Sequence, residues 1–447
     1  MIARIGSRTR QRRLLILTVL VSLLAAGCLR GSDPEAAGPN QLVWAIGGAP
    51  DVYVLLATEW NKDHPEAQVQ VEPLPSAADQ QRVQLTLALN AQSPMFDILG
   101  LDIIWMGEYA TNGWVEDLSD MLPELRRKQV PAAVTAAVWD GKLWGVPMNT
   151  NGAFLYYRKD LLDKPPETWE EAKEVAMAAA EKEGIAPFCG QGFQYEGLVV
   201  NYLEYFWGAG GEVYADPTGG SEFLFDKGDA AEQALEFMRE SNTDGFYAPG
   251  FNTMLEEECR VEFTSGNVVM MRNWPYAYGI AIDPAASELT PNQVGIAPLP
   301  GFADSPVDSV TALGGFNLGV SAFSEKKEQA REFVRWVGTS PAAQGILVEN
   351  ALAPTLKSEY EKNSDDPVYR MLGEQVLPSA KLRPPSPTYS DLSLTIQENV
   401  WPAYNAELGV DAAVTGITTD IAAMTERLNE LREIEQEGQQ AQGSEQP

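Results

Sequence analysis

The sequence predicts an α/β protein built around a parallel sheet. Two observations carry that prediction. Between residues 41 and 101, five strand-like and helix-like segments alternate, the pattern of right-handed βαβ units. The 447 residues are 45% hydrophobic and 21% charged, a globular composition with length for two or three domains.

Taken in order, Gln41–Ile46 (QLVWAI) reads as a buried strand that Gly47-Gly48-Ala49-Pro50 breaks. Residues 52–61 have helical periodicity, stopped by His64-Pro65. Residues 67–72 (AQVQVE) alternate as a second strand, 79–90 form an amphipathic helix, and 97–101 (DILGL) form a third strand. In such a sheet ligands bind beyond the carboxyl ends of the strands, which here means residues 47–51, 75–81 and 102–105. A second α/β pattern follows. Residues 145–147 and 153–158 look like strand-like crossings, and 168–183 a helix with Thr168 and Glu171 as a capping box. A helix is expected over 230–241 and a buried strand over 266–272, ending in Asn273-Trp274-Pro275-Tyr276. Short strands at 295–299 and 315–320 precede a helix over 324–338 with Ala330, Phe333, Val334 and Val337 on one face. The last helix is expected over about 410–433, and the Gln/Glu/Gly-rich residues 434–447 as a disordered tail.

The amino terminus differs in composition. Arg4, Arg8, Arg10, Arg12 and Arg13 precede an uncharged stretch over 14–26, shorter than the ~20 residues of a membrane-spanning helix and of the length of a secretory signal. Small residues then lead to Cys28. This resembles a bacterial lipoprotein signal, with Leu24 one place further upstream than usual and Cys28 as the lipidated first residue. The alternative is an ordinary signal peptide over residues 1–27 with an incidental Cys28. Residues 28–40 read as a flexible tether. Cys189 and Cys259 then remain, either paired in an oxidising compartment or as two buried thiols.

The whole chain carries 63 acidic and 32 basic residues, net −31; losing the five signal arginines takes it to −36. Such acidity argues against nucleic acid and against charge-driven adhesion to an anionic membrane. The single histidine, His64, excludes multi-histidine zinc sites and lies at a helix end away from the strand termini, so no metal, cofactor or catalysis is assigned to it.

Several segments together resemble the substrate-binding proteins of ABC importers, in particular their trehalose/maltose-binding branch. They are residues 63–69 (DHPEAQV), Phe96-Asp97-Ile98-Leu99 with Asp102 and Trp105, Gly113-Trp114, Gly145-Val146-Pro147 with residues 155–162 (LYYRKDLL), and Thr168-Trp169-Glu170-Glu171. Phe263-Thr264-Ser265-Gly266 through Trp274, Gly314-Gly315 and Arg383-Pro384 complete the series. The resemblance implies a two-lobe, periplasmic-binding-protein-like fold with discontinuous lobes, a hinge, and a ligand cleft between them. The lobes are expected over 41–148 with about 309–365, and over 149–308 with about 366–433. It also implies a monomer on the outer face of the cell membrane, handing a disaccharide to permease subunits.

A sugar offers flat C–H faces that pack on aromatic rings and hydroxyls that need planar donors and acceptors. Trp274 is the candidate stacking ring, with Tyr276 as a second. Asp102, or alternatively Asp97, is the carboxylate that the resemblance implies, and Arg383 the cation, expected to pair with Asp102 or a neighbouring acid. Asn151 stands where the family often has Asp, which favours a partner hydroxyl acting as acceptor, and Asn149 is close by. Gly315, after Gly314, allows close backbone approach, with Phe316 at the rim. Asp51, Glu256 and Gln81 are further candidates, Gln81 and Arg82 falling where the family has a polar ligand group in either register. Trehalose, then maltose, is the expected cargo. An exported glycoside hydrolase using paired carboxylates is the alternative from another class, and a glycerol-linked phosphodiester or an oligosaccharide are alternative cargoes on the same fold.

Overall fold

The computed structural model describes residues 40–48, 50–215 and 223–444, with backbone alone for residues 50 and 431–444. The expected signal peptide, lipidated Cys28 and most of the tether lie outside these residues.

Trp44, Ala45 and Ile46 are all buried, so the first apolar run has no solvent face and becomes an inner strand, β1 (Gln41–Ile46). It is followed by α1 (Pro50–Asp63), β2 (Gln68–Pro73), α2 (Ala78–Asn90), β3 (Ile98–Asp102) and, further on, β4 (Val146–Asn151). β1 pairs in parallel with both β2 and β3, as the alternation predicts. His64, just past the end of α1, stacks on Trp60 with ring centroids 3.4 Å apart.

The chain then crosses to a second sheet. It contains β5 (Phe154–Arg158), α3 (Trp169–Glu183), β6 (Ala186–Cys189), α4 (Glu196–Gly208), α5 (Ala230–Thr243), α6 (Glu256–Thr264), β7 (Val268–Asn273) and β8 (Val294–Ala297), with strand order β8-β5-β7-β6. Thr168 caps α3 by accepting from the Glu171 amide at 3.1 Å. Glu171 reaches back to the Glu167 amide at 2.8 Å, one residue before the position a standard capping box uses. Every residue of α4 is buried, so it has no polar face and no helical periodicity for sequence reading to find. Cys189 at the end of β6 and Cys259 in α6 are joined by a disulfide, with Cα atoms 5.6 Å apart.

The chain returns through β9 (Thr311–Ala312) to β10 (Gly314–Val320), which inserts between β3 and β4 antiparallel to both, completing a five-stranded sheet ordered β2-β1-β3-β10-β4. α7 (Lys327–Thr339) buries the predicted stripe of Ala330, Phe333, Val334 and Val337, and α8 (Pro341–Glu349) follows. A third crossing leads to β11 (Ala380–Lys381), paired with β9, and then to α9 (Tyr389–Tyr404) and α10 (Val410–Ser444), which pack with α5 on the second half. α10 runs to Ser444, past Glu433 where a disordered tail was expected; Glu and Gln, which dominate this stretch, are good helix formers.

The three crossings converge. The Ala153 amide of the first donates to Thr311 Oγ1 of the second at 2.8 Å. A Cβ on Gly152 would lie 2.4 Å from Val376 of the third and 3.0 Å from Thr311, so only glycine fits this junction. Among the described residues, no helix is long and apolar enough to cross a membrane.

Candidate functional site

Asp102 ends β3 of the first sheet and caps the turn after it, its Oδ1 accepting from the Ile104 amide at 3.2 Å. Arg383 follows the crossing strand β11 and is 2% exposed. Its Nη2 donates to Asp102 Oδ1 at 2.9 Å, the pairing expected from sequence, and its Nη1 donates to Glu196 Oε1 at 2.7 Å. Glu196 opens α4 in the other half. Tyr389 donates to its Oε1 at 2.6 Å and Ser393 to its Oε2 at 2.5 Å. The Glu196 amide donates to Asp79 of α2 at 2.9 Å, so a first-half aspartate caps a second-half helix. Arg383 thus bridges the halves with two carboxylates around one guanidinium.

The surroundings shift these groups. Burial and the nearby Asp79 push the Glu196 carboxyl up to about 7, against the pull of Arg383 and of the Ser393 and Tyr389 hydroxyls. Burial works against the charge on Arg383, yet Asp102, Tyr389 and Glu196 together hold its guanidinium above the usual arginine range. The Arg383 Nε, buried like the rest of the side chain, has no hydrogen-bond partner among the described residues.

Trp274 emerges from the end of β7. Its amide is fixed by the Asn273 side chain at 2.8 Å and its carbonyl accepts from Tyr156 at 2.7 Å. The half-buried indole donates from Nε1 to Glu256 Oε1 at 3.4 Å, while Tyr195 donates to Glu256 Oε2 at 2.7 Å. Glu256 lies in the first turn of α6 and is therefore bound into the platform, whereas a run of three glutamates more often forms a solvated face. The Arg272 guanidinium lies 4.1 Å from the centroid of the Trp274 ring.

The backbone of β10 links these groups. A Cβ on Gly314 would lie 3.0 Å from the Trp274 ring and 3.4 Å from Asn151. Phe316, two residues on, pairs in register with Asp102 and lies against Gly48 at the end of β1. Gly315 has φ +129°, and a Cβ there would lie 2.4 Å from the Asn149 carbonyl. Gln81 packs against Gly47, its Oε1 buried without a hydrogen-bond partner among the described residues, while Arg82 forms an ion pair with Glu108 and lines a small cavity with Asp79, Glu196 and Tyr389.

Other candidates stand apart. Asp97 is 1% exposed and clamps β1 to a turn, accepting from the Val43 amide at 2.9 Å and from Ser324 at 2.6 Å, so of the two aspartates Asp102 is the one at the interface between the halves. The buried Asn149 accepts from the Phe316 amide at 2.9 Å and shapes β10. Asp51 is exposed in the first turn of α1. Tyr276 commits its hydroxyl to Glu257 at 2.5 Å, and burial and that carboxylate push its phenol up. Sequence reasoning missed Asp79, Tyr195, Glu196 and Tyr389. The one local signal was Tyr195-Glu196, an aromatic and an acid immediately before a mostly apolar run broken by Asn201 and Glu204.

Residues 48–344 match the model of the bacterial extracellular solute-binding protein family. A probable ABC transporter-binding protein of Deinococcus radiodurans is 31% identical over 306 residues, covering 66% of this chain and 70% of that one. A maltotriose-binding protein of Pyrococcus abyssi is 25% identical over 359 residues, 78% of this chain and 72% of that one. Maltose-bound MalE3 of T. maritima superposes with a TM-score of 0.79 at 30% identity, covering 86% of this chain and 99% of that one.

Proposed function

The chain belongs to the bacterial extracellular solute-binding proteins, and on that premise we propose that it captures an α-linked disaccharide, maltose or trehalose, for delivery to an ABC permease. The observation that carries the reading is the pairing of Arg383 with Asp102 and Glu196 across the two halves, with β10 running from Gly314 beside the Trp274 ring to Phe316 beside Asp102. A half-buried indole supplies a face for sugar C–H groups. The polar groups of Asp102, Arg383, Asn151 and Gln81 supply fixed donors and acceptors, and two of them have buried atoms without partners. The maltose and maltotriose carried by the similar proteins named above favour an α-glucoside. On this reading the lobes divide near residues 148, 308 and 365. The protein acts as a monomer, tethered outside the cell through a lipidated Cys28, and binds without reacting.

Thermal-shift and calorimetric titration with maltose and trehalose test this. We expect at least one to raise the melting temperature and release heat, and Trp274→Ala to weaken its binding at least tenfold. No response to either sugar sinks the cargo assignment. Glucose release above a boiled control would instead mark a hydrolase.

A further inference from the structure

We infer that Arg272 is a positioning residue that sets the plane of the Trp274 ring, a role that rests on reading Trp274 as the sugar platform. Arg272 and Trp274 are two residues apart at the end of β7, so both side chains leave the same face. The guanidinium stacks on the indole at 4.1 Å and is itself held without help from any ligand. Glu204 of α4 accepts from its Nε at 2.8 Å and Nη2 at 2.6 Å, and Gln191 accepts from its Nη1 at 2.9 Å. Arg272 is 1% exposed, and a planar guanidinium fixed at three nitrogens cannot rotate. It is a rigid floor beneath one face of the ring.

The pair also reaches the crossings. Glu204 Oε1 accepts from the Thr311 hydroxyl and from the Ala312 amide, each at 3.0 Å, and Thr311 in turn accepts from the Ala153 amide at 2.8 Å. One carboxylate therefore registers the ring against two of the three crossings between the halves. Stability alone does not account for this arrangement. A buried ion pair can often be replaced by apolar residues of similar volume at no loss of stability, so what this pair supplies beyond stability is geometry.

The test uses the ligand-free full-length protein. The Trp274 indole signal is assigned by its disappearance in Trp274→Phe, and its order is measured by the indole heteronuclear NOE. Wild type should give a value as high as the β7 backbone. Arg272→Met combined with Glu204→Gln removes both charges and keeps an oxygen for Thr311 and Ala312; it should lower the NOE clearly. Arg272→Lys keeps the charge without the planar stack and should lower it as well, which covers the case that the double variant does not fold. With maltose or trehalose, the double variant should weaken binding at least fivefold in the wild-type background and not at all once Trp274→Ala is present. An unchanged NOE, or the same loss of affinity in both backgrounds, overturns the positioning role. If wild type binds neither sugar, the cargo assignment fails and the NOE alone decides this one.

Discussion

At Gly315 the backbone lies in the positive-φ region, at +129°, with the Asn149 carbonyl 2.4 Å from where a Cβ would stand. The contact is with backbone, which cannot swing aside, so Gly315→Ala must displace β10 where it carries Phe316 beside Asp102. We expect it to cost about 2 kcal/mol or more in a urea unfolding midpoint and to weaken sugar binding as well. An unaltered midpoint would mean that the β10–β4 register is loose. At the same scale, Trp274 and Asp102 were legible because they stand at the carboxyl ends of strands, and Arg383 because of the family resemblance. Glu196 was not, because its importance comes from Arg383, Tyr389 and Ser393, which lie 187 or more residues away in sequence. No local pattern encodes such a meeting.

Among the elements, amphipathic ones were read closely and uniform ones were lost. α3 and α7 have a buried stripe and a wet face, and their predicted bounds fall within a few residues of those observed. α4 is buried on all sides and α9 on most of its surface, so neither shows the contrast on which periodicity depends. β6, only four residues long, is bound to α6 by the Cys189–Cys259 disulfide, which closes a loop across 70 residues. Chain-entropy reasoning gives a loop of that size about 4 kcal/mol. We expect Cys189→Ser with Cys259→Ser to lower unfolding stability by about 2–4 kcal/mol, and dithiothreitol to do the same to wild type alone. Because α6 also carries Glu256 beside Trp274, the loss should reach the platform and reduce affinity.

For the molecule as a whole, the joint between the halves is proton-sensitive. The groups facing Glu196 are Asp79 from α2, Arg383 after β11, and Tyr389 and Ser393 from α9. Its carboxyl is raised from the ordinary 4.5 to about 7, so between those values the folded protein holds a proton that the unfolded chain has released. Folding therefore binds protons in this window. The Glu196 contribution to stability falls as pH rises from about 4.5 through about 7, and levels off above. Melting temperature measured from pH 5 to 8 should show that fall in wild type and lose this component in Glu196→Gln. A rise with pH in wild type relative to the variant would mean that the pull of Arg383 outweighs burial.

The junction at Gly152 governs how such a molecule can move. Three chain segments touch where one residue lacks a side chain, at 2.4 Å from Val376 and 3.0 Å from Thr311 measured to an added Cβ. Segments pinned at one point can pivot about it but cannot slide past one another. If the halves move, we expect them to rotate about this contact and not to slide across it, like a door on a pin.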